Sequence, residues 1–365
     1  MKFTVDRIKL QKALQRVGNI IGARSMLPLM GNVLIKASES GLELITTDLD
    51  LRLVTSVEAE VSEPGVTTLP AKKLVSLVSS FGAEKVEVAV DEKDFARIVC
   101  GTAKFTLLGL SAADFPEDPA FETVREIRIK ESLFKRMIGA ISYAVSVDDS
   151  RKVLTGVLLS IRDGAMTLVA TDGKRMAMQE AAPDSVSGGD GDSIIPLKAM
   201  TELRRLLDGD GIMSIEVGDK MCRFTCAGVT LVSKLIEGAY PNYRQVVPVK
   251  FAGEVELPVQ ALLSKIETVA LMIAGTANNS IVLRFADNQL QLQAASAEVG
   301  EGSDLIETVF EGEPFEVSFN PVFLADPLRN TDADMVRFKL NDPLSPVAIE
   351  AGEGFMYIIM PIRKK

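Results

Sequence analysis

The sequence predicts an α+β fold built from three similar units, and three observations predict it. A strand-then-helix pattern opens the chain and returns twice. Short strings recur at an offset of about 124 residues. Between the helical stretches the chain alternates apolar and polar residues, as strands with one wet face do. The 365 residues are 47% hydrophobic and 25% charged, which suits several packed cores and is too long for one ordinary domain.

Taken in order, Phe3-Thr4-Val5 alternates and runs into Ile8, Leu10, Leu14 and Val17 at helical spacing. Ile127-Arg128-Ile129 precedes Phe134, Met137 and Ile138 in the same way. Val255-Glu256-Leu257 precedes Leu262, Leu263 and Ile266. Inside the units, Gly31-Asn32-Val33-Leu34 is echoed by Thr155-Gly156-Val157-Leu158, and Thr47-Asp48 by Thr171-Asp172. A second helix opens at Pro70-Ala71-Lys72, again at Pro196-Leu197-Lys198, and again at Asn320-Pro321-Val322. Proline costs little in a first turn, where its missing N–H has no intrahelical partner anyway. Runs such as Leu42-Glu43-Leu44, 86–90, 213–217 and Leu290-Gln291-Leu292 read as strands. The expected units are 1–118, 125–247 and 254–365, each of two helices and about eight strands, with linkers near 117–124 and 248–253.

Charge is distributed unevenly. The six helical segments carry +4, +2, +2, +2, 0 and 0, a total of +10 in a chain whose net charge is −10. Everything else therefore carries −20. One basic helical face on an acidic body suits a polyanion held on one side only, although the bulk charge argues against a simple basic-patch binder.

Enzymatic chemistry finds little support. Histidine is absent, which removes the commonest general base and transition-metal ligand. The three cysteines suggest no disulfide framework, and Cys222 and Cys226, four apart in a strand-like run, read as small buried hydrophobes rather than a zinc site. No cofactor is expected. Ser132 and Lys135 fit S-x-x-K without its partner motifs. Gly188-Gly189-Asp190-Gly191-Asp192 reads as a loop, the segment 171–175 lacks phosphate-loop spacing, and Asp48 with Asp50 lies in a turn-like segment. No stretch approaches 18 apolar residues and the N-terminus has no apolar signal core, so the expectation is a cytoplasmic protein without a membrane partner. The terminal run Tyr357-Ile358-Ile359-Met360-Pro361-Ile362 reads as a final core strand or as the wall of a groove for a short peptide.

The strings 27–32, 63–71, 111–116, 170–176, 233–235, 240–244 and 360–363, in this order and spacing, make the chain similar to the bacterial sliding clamps, the β subunits of the replicative DNA polymerase III. The similarity runs over essentially the whole length. It implies a non-catalytic processivity factor: a head-to-tail homodimeric ring with helices inside and sheets outside, enclosing double-stranded DNA. The resemblance further implies, as partners, the DNA polymerase III catalytic subunit, the clamp loader, and clamp-binding-motif proteins such as translesion polymerases, mismatch repair proteins and ligase, at the bacterial nucleoid.

Carried over residue by residue, the resemblance implies DNA-facing roles for Arg24, Lys72, Lys73, Lys198, Arg151 and Lys152. The first four also follow from the helix charges. It implies a partner-peptide pocket of Leu154, Thr171, Gly173, Lys174, Arg175, Met176, Pro241, Val246, Ser345, Ile358, Met360, Pro361, Ile362 and Arg363, which would take a peptide with a glutamine and apolar anchors. Lys174 stands where many relatives have histidine, and Lys364 and Lys365 add further charge. It implies a dimer contact between Phe105 and Leu107 on one side and Met272 and Ile273 on the other, with Lys73 and Lys104 facing Glu298, Glu301 or Asp304. Two rivals remain at this point: an enzyme using Ser132 and Lys135, and a repeat adaptor that binds proteins and never DNA.

Overall fold

The computed structural model describes residues 1–20, 28–248, 250–276, 280–310 and 313–362. Its α-helices are α1 (Arg7–Val17), α2 (Ala71–Ser80), α3 (Glu131–Ile141), α4 (Leu197–Leu206), α5 (Val259–Ala270) and α6 (Pro321–Arg329); α1, α3 and α5 lie where the apolar spacing put them, and α2, α4 and α6 where the proline-led openings did. Asp6 caps α1 by accepting the Lys9 N–H at 2.9 Å, and Asn320 caps α6 through the Val322 N–H at 2.9 Å. Both satisfy an amide that has no partner inside its helix. Pro70 and Pro258 stand at the N-caps of α2 and α5, and Pro321 opens α6. α1 buries Leu10, Ala13, Leu14 and Val17, so its polar stripe, with Lys9, Lys12 and Arg16, stays in water.

The repeat is visible in strand pairing, which is antiparallel throughout the named strands. The opening strand pairs with the strand after the second helix three times: Lys2–Asp6 with Lys85–Val90, Arg125–Lys130 with Ile212–Val217, and Gly253–Pro258 with Met335–Leu340. The first hairpin strand pairs with the strand before the second helix three times: Asn32–Ser38 with Gly65–Pro70, Gly156–Arg162 with Gly191–Pro196, and Ile281–Ala286 with Phe315–Phe319. These are the segments whose sequences echo one another.

By packing, the chain divides into two compact units: 1–133, 184–188 and 198–235 in the first, and 134–183, 189–197 and 236–365 in the second. The middle repeat contributes strands to both. The first unit holds a five-stranded and a nine-stranded sheet, the latter joining Val229–Lys234 of the middle repeat to Leu51–Val57 of the first. The second unit holds an eight-stranded and a four-stranded sheet, the former joining Arg175–Ala181 to Phe355–Ile359. A shared sheet therefore blurs the borders that sequence repeats draw sharply.

The side candidates resolve simply. Cys100, Cys222 and Cys226 are buried and free. Burial pushes the Cys222 thiol far up and the Cys226 thiol up to about 11. Lys198 binds Asp48, and Lys234 binds Asp50 at 3.0 Å. Ser132 and Lys135 lie in the first turns of α3. Gly188 and Gly189 turn at positive φ, and the Asp190 carboxylate accepts the Asp163 N–H at 3.0 Å. Among the described residues no group of acidic or cysteine side chains is arranged to hold a metal, and no helix is long and apolar enough to cross a membrane.

Candidate functional site

The candidate peptide surface lies within the second unit and is built on a tight turn. Strand Ala165–Thr171 ends at Thr171, whose hydroxyl donates to the Arg175 carbonyl at 2.6 Å and accepts the Gly173 N–H at 3.1 Å. One oxygen of Asp172 accepts the Lys174 and Arg175 amides at 2.8 and 3.0 Å. Gly173 has φ +86°, a conformation that favours glycine; a Cβ there would also sit 2.7 Å from Nη1 of Arg151, a flexible side-chain end that can move aside.

The turn is tied to the chain's last strand. Arg175 pairs with Ile359 and Met176 with Ile358 in register, and the Met360 N–H donates to the Lys174 carbonyl at 3.0 Å. Beneath it Met176, Ile358 and Tyr243 join Leu158, Val169 and Ile194 in one apolar cluster, with Tyr240 and Val153 packed against it. Leu154 is also buried. The outer rim is apolar and wet: Val246, Met360 and Ile362 are 40%, 39% and 40% exposed. Pro241, which precedes Val246 in the same segment, is exposed, and the Ile362 N–H donates to the Ser318 carbonyl at 2.8 Å. Ser345 donates to the Asp342 carboxylate, which holds that acid below its ordinary range. The floor is thus core and the rim is ligand-accessible. Arg363 lies outside the described residues.

Arg175 is a structural hub. Its side chain is 9% exposed. Nε donates to Asp172 at 3.1 Å, Nη1 to Asp326 of α6, and Nη2 to the Tyr143 carbonyl at 2.7 Å. The guanidinium lies 4.2 Å from the Phe323 ring centroid. Burial raises the nearby Tyr143 and Tyr357 phenols, so both stay neutral, and the Tyr357 hydroxyl donates to the Phe323 carbonyl at 2.7 Å. A paired, hydrogen-bonded guanidinium is what a low-dielectric site tolerates. Its task is to lock the turn onto α6. Asp326, Tyr143 and Phe323 carry no local sequence signal for this role; Tyr240 and Tyr243 were visible in the 240–244 string.

The basic candidates divide. Lys72 and Lys73 are exposed on α2. Beside Lys72 an open groove of about 550 Å³ is lined by Leu14, Val75 and Arg205 among others. Arg205 reaches back to the Arg16 carbonyl at 2.7 Å, and Lys198 binds Asp48 while donating to the Ile20 carbonyl at 3.4 Å. These α4 cations therefore also cap the end of α1, as cations at a helix C-terminus do. Arg151 donates to the Asp172 carbonyl at 2.7 Å and faces Asp148, so it braces the peptide-site turn. Lys152 is exposed. Arg24 lies outside the described residues.

Each unit also ends in an unpaired sheet edge. In the first, Ala103–Leu108 closes the five-stranded sheet. It carries Lys104, Phe105 (45% exposed, its ring 5.8 Å from that of Phe81) and half-buried Leu107. In the second, Gly300–Glu307 closes the four-stranded sheet, with Glu301 exposed and Glu298 in the preceding turn. Two of the expected contact residues are already engaged within the chain. Ile273 is 4% exposed and belongs to its own unit's core; apolar surface there comes instead from Leu271, Val299 and Leu305, with Met272 half-buried. Asp304 is taken within the chain by Lys265, at 2.6 Å.

Comparisons with known proteins agree along the full length. Family profiles of the DNA polymerase III beta subunit match residues 1–119 (N-terminal domain), 128–242 (central domain) and 244–363 (C-terminal domain). The beta sliding clamp of Chlamydia muridarum is 31% identical over 363 residues, covering 100% of this chain and 99% of its own. That of Escherichia coli K12 is 32% identical over 368 residues and covers 100% of both. Among solved structures, a Pseudomonas aeruginosa sliding clamp bound to griselimycin matches at TM-score 0.95 and 32% identity, and a Bacillus subtilis sliding clamp at 0.96 and 26%, each covering 100% of both chains. The chain belongs to the beta sliding clamp family of bacterial DNA polymerase III.

Proposed function

We propose that two copies of this chain close head to tail into a ring around duplex DNA, and that the ring carries a polymerase and other proteins on the Leu154–Arg363 peptide surface. The family's role is non-catalytic, and S-x-x-K chemistry is not part of the reading. The observation that carries it is the charge segregation: +10 on the helical segments of a chain of net charge −10. Cations that neutralise phosphates attract any duplex sequence, and the attraction weakens with salt. Enclosure supplies retention, so each contact can stay weak and the ring can slide. Lys72, Lys73, Lys152 and Arg24 are the side chains assigned to DNA, with Lys198 and Arg151 sharing their charge between DNA and the protein's own turns.

Ring closure is assigned to these two sheet edges among the several that the sheets present. Ala103–Leu108 offers Lys104, Phe105 and Leu107, and Lys73 of α2 is assigned to the same contact; Gly300–Glu307 offers Glu301, with Glu298 and Met272 assigned beside it. Unpaired edges are templates for a further strand, and their charges are opposite. Exposed ion pairs contribute roughly 0–1 kcal/mol each, so the ladder and the apolar side chains must dominate. The repeats 1–118, 125–247 and 254–365 are the proposed domains. The clamp loader, translesion polymerases, mismatch repair proteins and ligase are proposed partners, and the cytoplasm at the nucleoid is the proposed location.

The test is topological. The protein is loaded on nicked circular plasmid with a cognate clamp loader and ATP, free protein is removed, and the plasmid is cut. Retention on circles with loss from cut ends supports encirclement. Equal retention after cutting would mean direct attachment and would overturn the ring.

A further inference from the structure

We propose that Lys174 is a specificity residue of the peptide surface and selects partner peptides that carry a carboxylate next to their apolar anchor. The inference rests on the peptide reading above and deepens it. Its backbone is fixed on both sides: the N–H donates to Asp172 at 2.8 Å, and the carbonyl accepts the Met360 N–H at 3.0 Å. The side chain therefore springs from a rigid point directly beside Met360, which is 39% exposed.

The charges around it are already spent, and its own is not. Asp172 and Asp326 both bind Arg175. Asp148 faces Arg151 and accepts the Ser150 N–H at 3.0 Å. Asp342 accepts from Ser345. Among the described residues the Lys174 ammonium has no hydrogen-bond or ion-pair partner, and it is exposed. An unspent cation pinned beside exposed apolar surface is complementary to one chemical pattern: an apolar side chain with an acidic neighbour. Such complementarity acts mainly on which partner binds.

The experiment uses the full-length protein and two labelled synthetic peptides read by fluorescence anisotropy. Both carry a glutamine and leucine and phenylalanine anchors, and they differ only by Asp or Asn beside the anchors. An exposed pair supports a preference of about threefold to fivefold for the Asp peptide at low salt, shrinking at 0.5 M salt because screening shortens the reach of the charge. Lys174→Gln should bring the ratio to one, and Lys174→Arg should restore it. No preference in the parent protein, or an unchanged preference in Lys174→Gln, would overturn the proposal while leaving the peptide surface standing. If neither peptide bound, or if Met360→Ala with Ile362→Ala left both affinities intact, the peptide surface itself would be misplaced and the proposal would fall with it.

Discussion

The Thr171–Met176 turn and the α1–α2 helix pair both concentrate basic residues, and they use them in opposite ways. At the turn, Arg175 is 9% exposed and each of its three guanidinium nitrogens donates to Asp172, Asp326 or a carbonyl. On the helices, Lys12, Lys72 and Lys73 stand in water. A buried charge is part of the architecture, and its removal leaves carboxylates stranded. A solvated charge is part of a field, and its removal changes only what the field attracts. Counting basic residues in the sequence cannot separate the two roles; neighbours can.

The largest expected effect follows from the buried member. Arg175→Ala leaves Asp172 without its cation and Asp326 with only Arg329, at 3.7 Å, and breaking a buried pair costs about 3–5 kcal/mol. Urea unfolding should show that loss, whereas Lys73→Ala should stay within about 0.5 kcal/mol of the parent. Equal effects would erase the distinction. Next comes the apolar rim. Met360→Ala with Ile362→Ala should weaken binding of a glutamine-and-leucine peptide by about tenfold or more, as anchor truncation does, with little change in the unfolding midpoint because both side chains are about 40% exposed. Calorimetry on the peptide and a urea curve would check both halves.

Smaller still is the field itself. Each of Lys72→Ala and Lys73→Ala should lower the slope of log affinity for duplex DNA against log salt by about one. The loss should be the same for unrelated sequences, since phosphate contacts carry no sequence information. A sequence-dependent loss would point to base contacts.

What the sequence disclosed follows the same division. The six helices named above were legible because their signals are local: Leu10, Leu14 and Val17 declare one face of α1 whatever else surrounds it, and Pro70, Pro196 and Pro321 mark the starts of α2, α4 and α6. The three-fold repeat was legible because related pairings demand related strings, as Asn32–Ser38 and Gly156–Arg162 show. The Arg175–Asp326 and Lys198–Asp48 pairs were not, because their members are 151 and 150 residues apart in sequence and no local pattern links them. Arg151 and Lys198 were assigned to DNA alone, and the structure gives each a second duty within the protein. The burial of Ile273 was hidden for a related reason. It follows the end of α5, where helical periodicity lapses and the turn Leu271–Gly275 sends Leu271 outward and Ile273 inward.

Between the two extremes lies Asp304, half in water and paired with Lys265 at 2.6 Å. The hydrogen bond from Lys265, helped by the Leu305 amide, holds this carboxyl below its ordinary range. A depressed folded value means that the unfolded chain takes up the proton first as the pH falls. The pair's contribution is therefore fully present above the unfolded aspartate value of about 3.9 and is lost as the pH drops through the lower folded value. Carboxyl NMR of Asp304 should place its titration below that of exposed aspartates, and Lys265→Met should return it towards 3.9. If Lys265→Met left the titration unmoved, the Leu305 amide alone would be holding the carboxylate. Lys265 would then be as solvated in effect as the α2 lysines, and Asp304 would be free to meet Lys73 or Lys104 of a second subunit. The expected result instead keeps Asp304 within its own chain and leaves Glu298 and Glu301 as the acids available for ring closure.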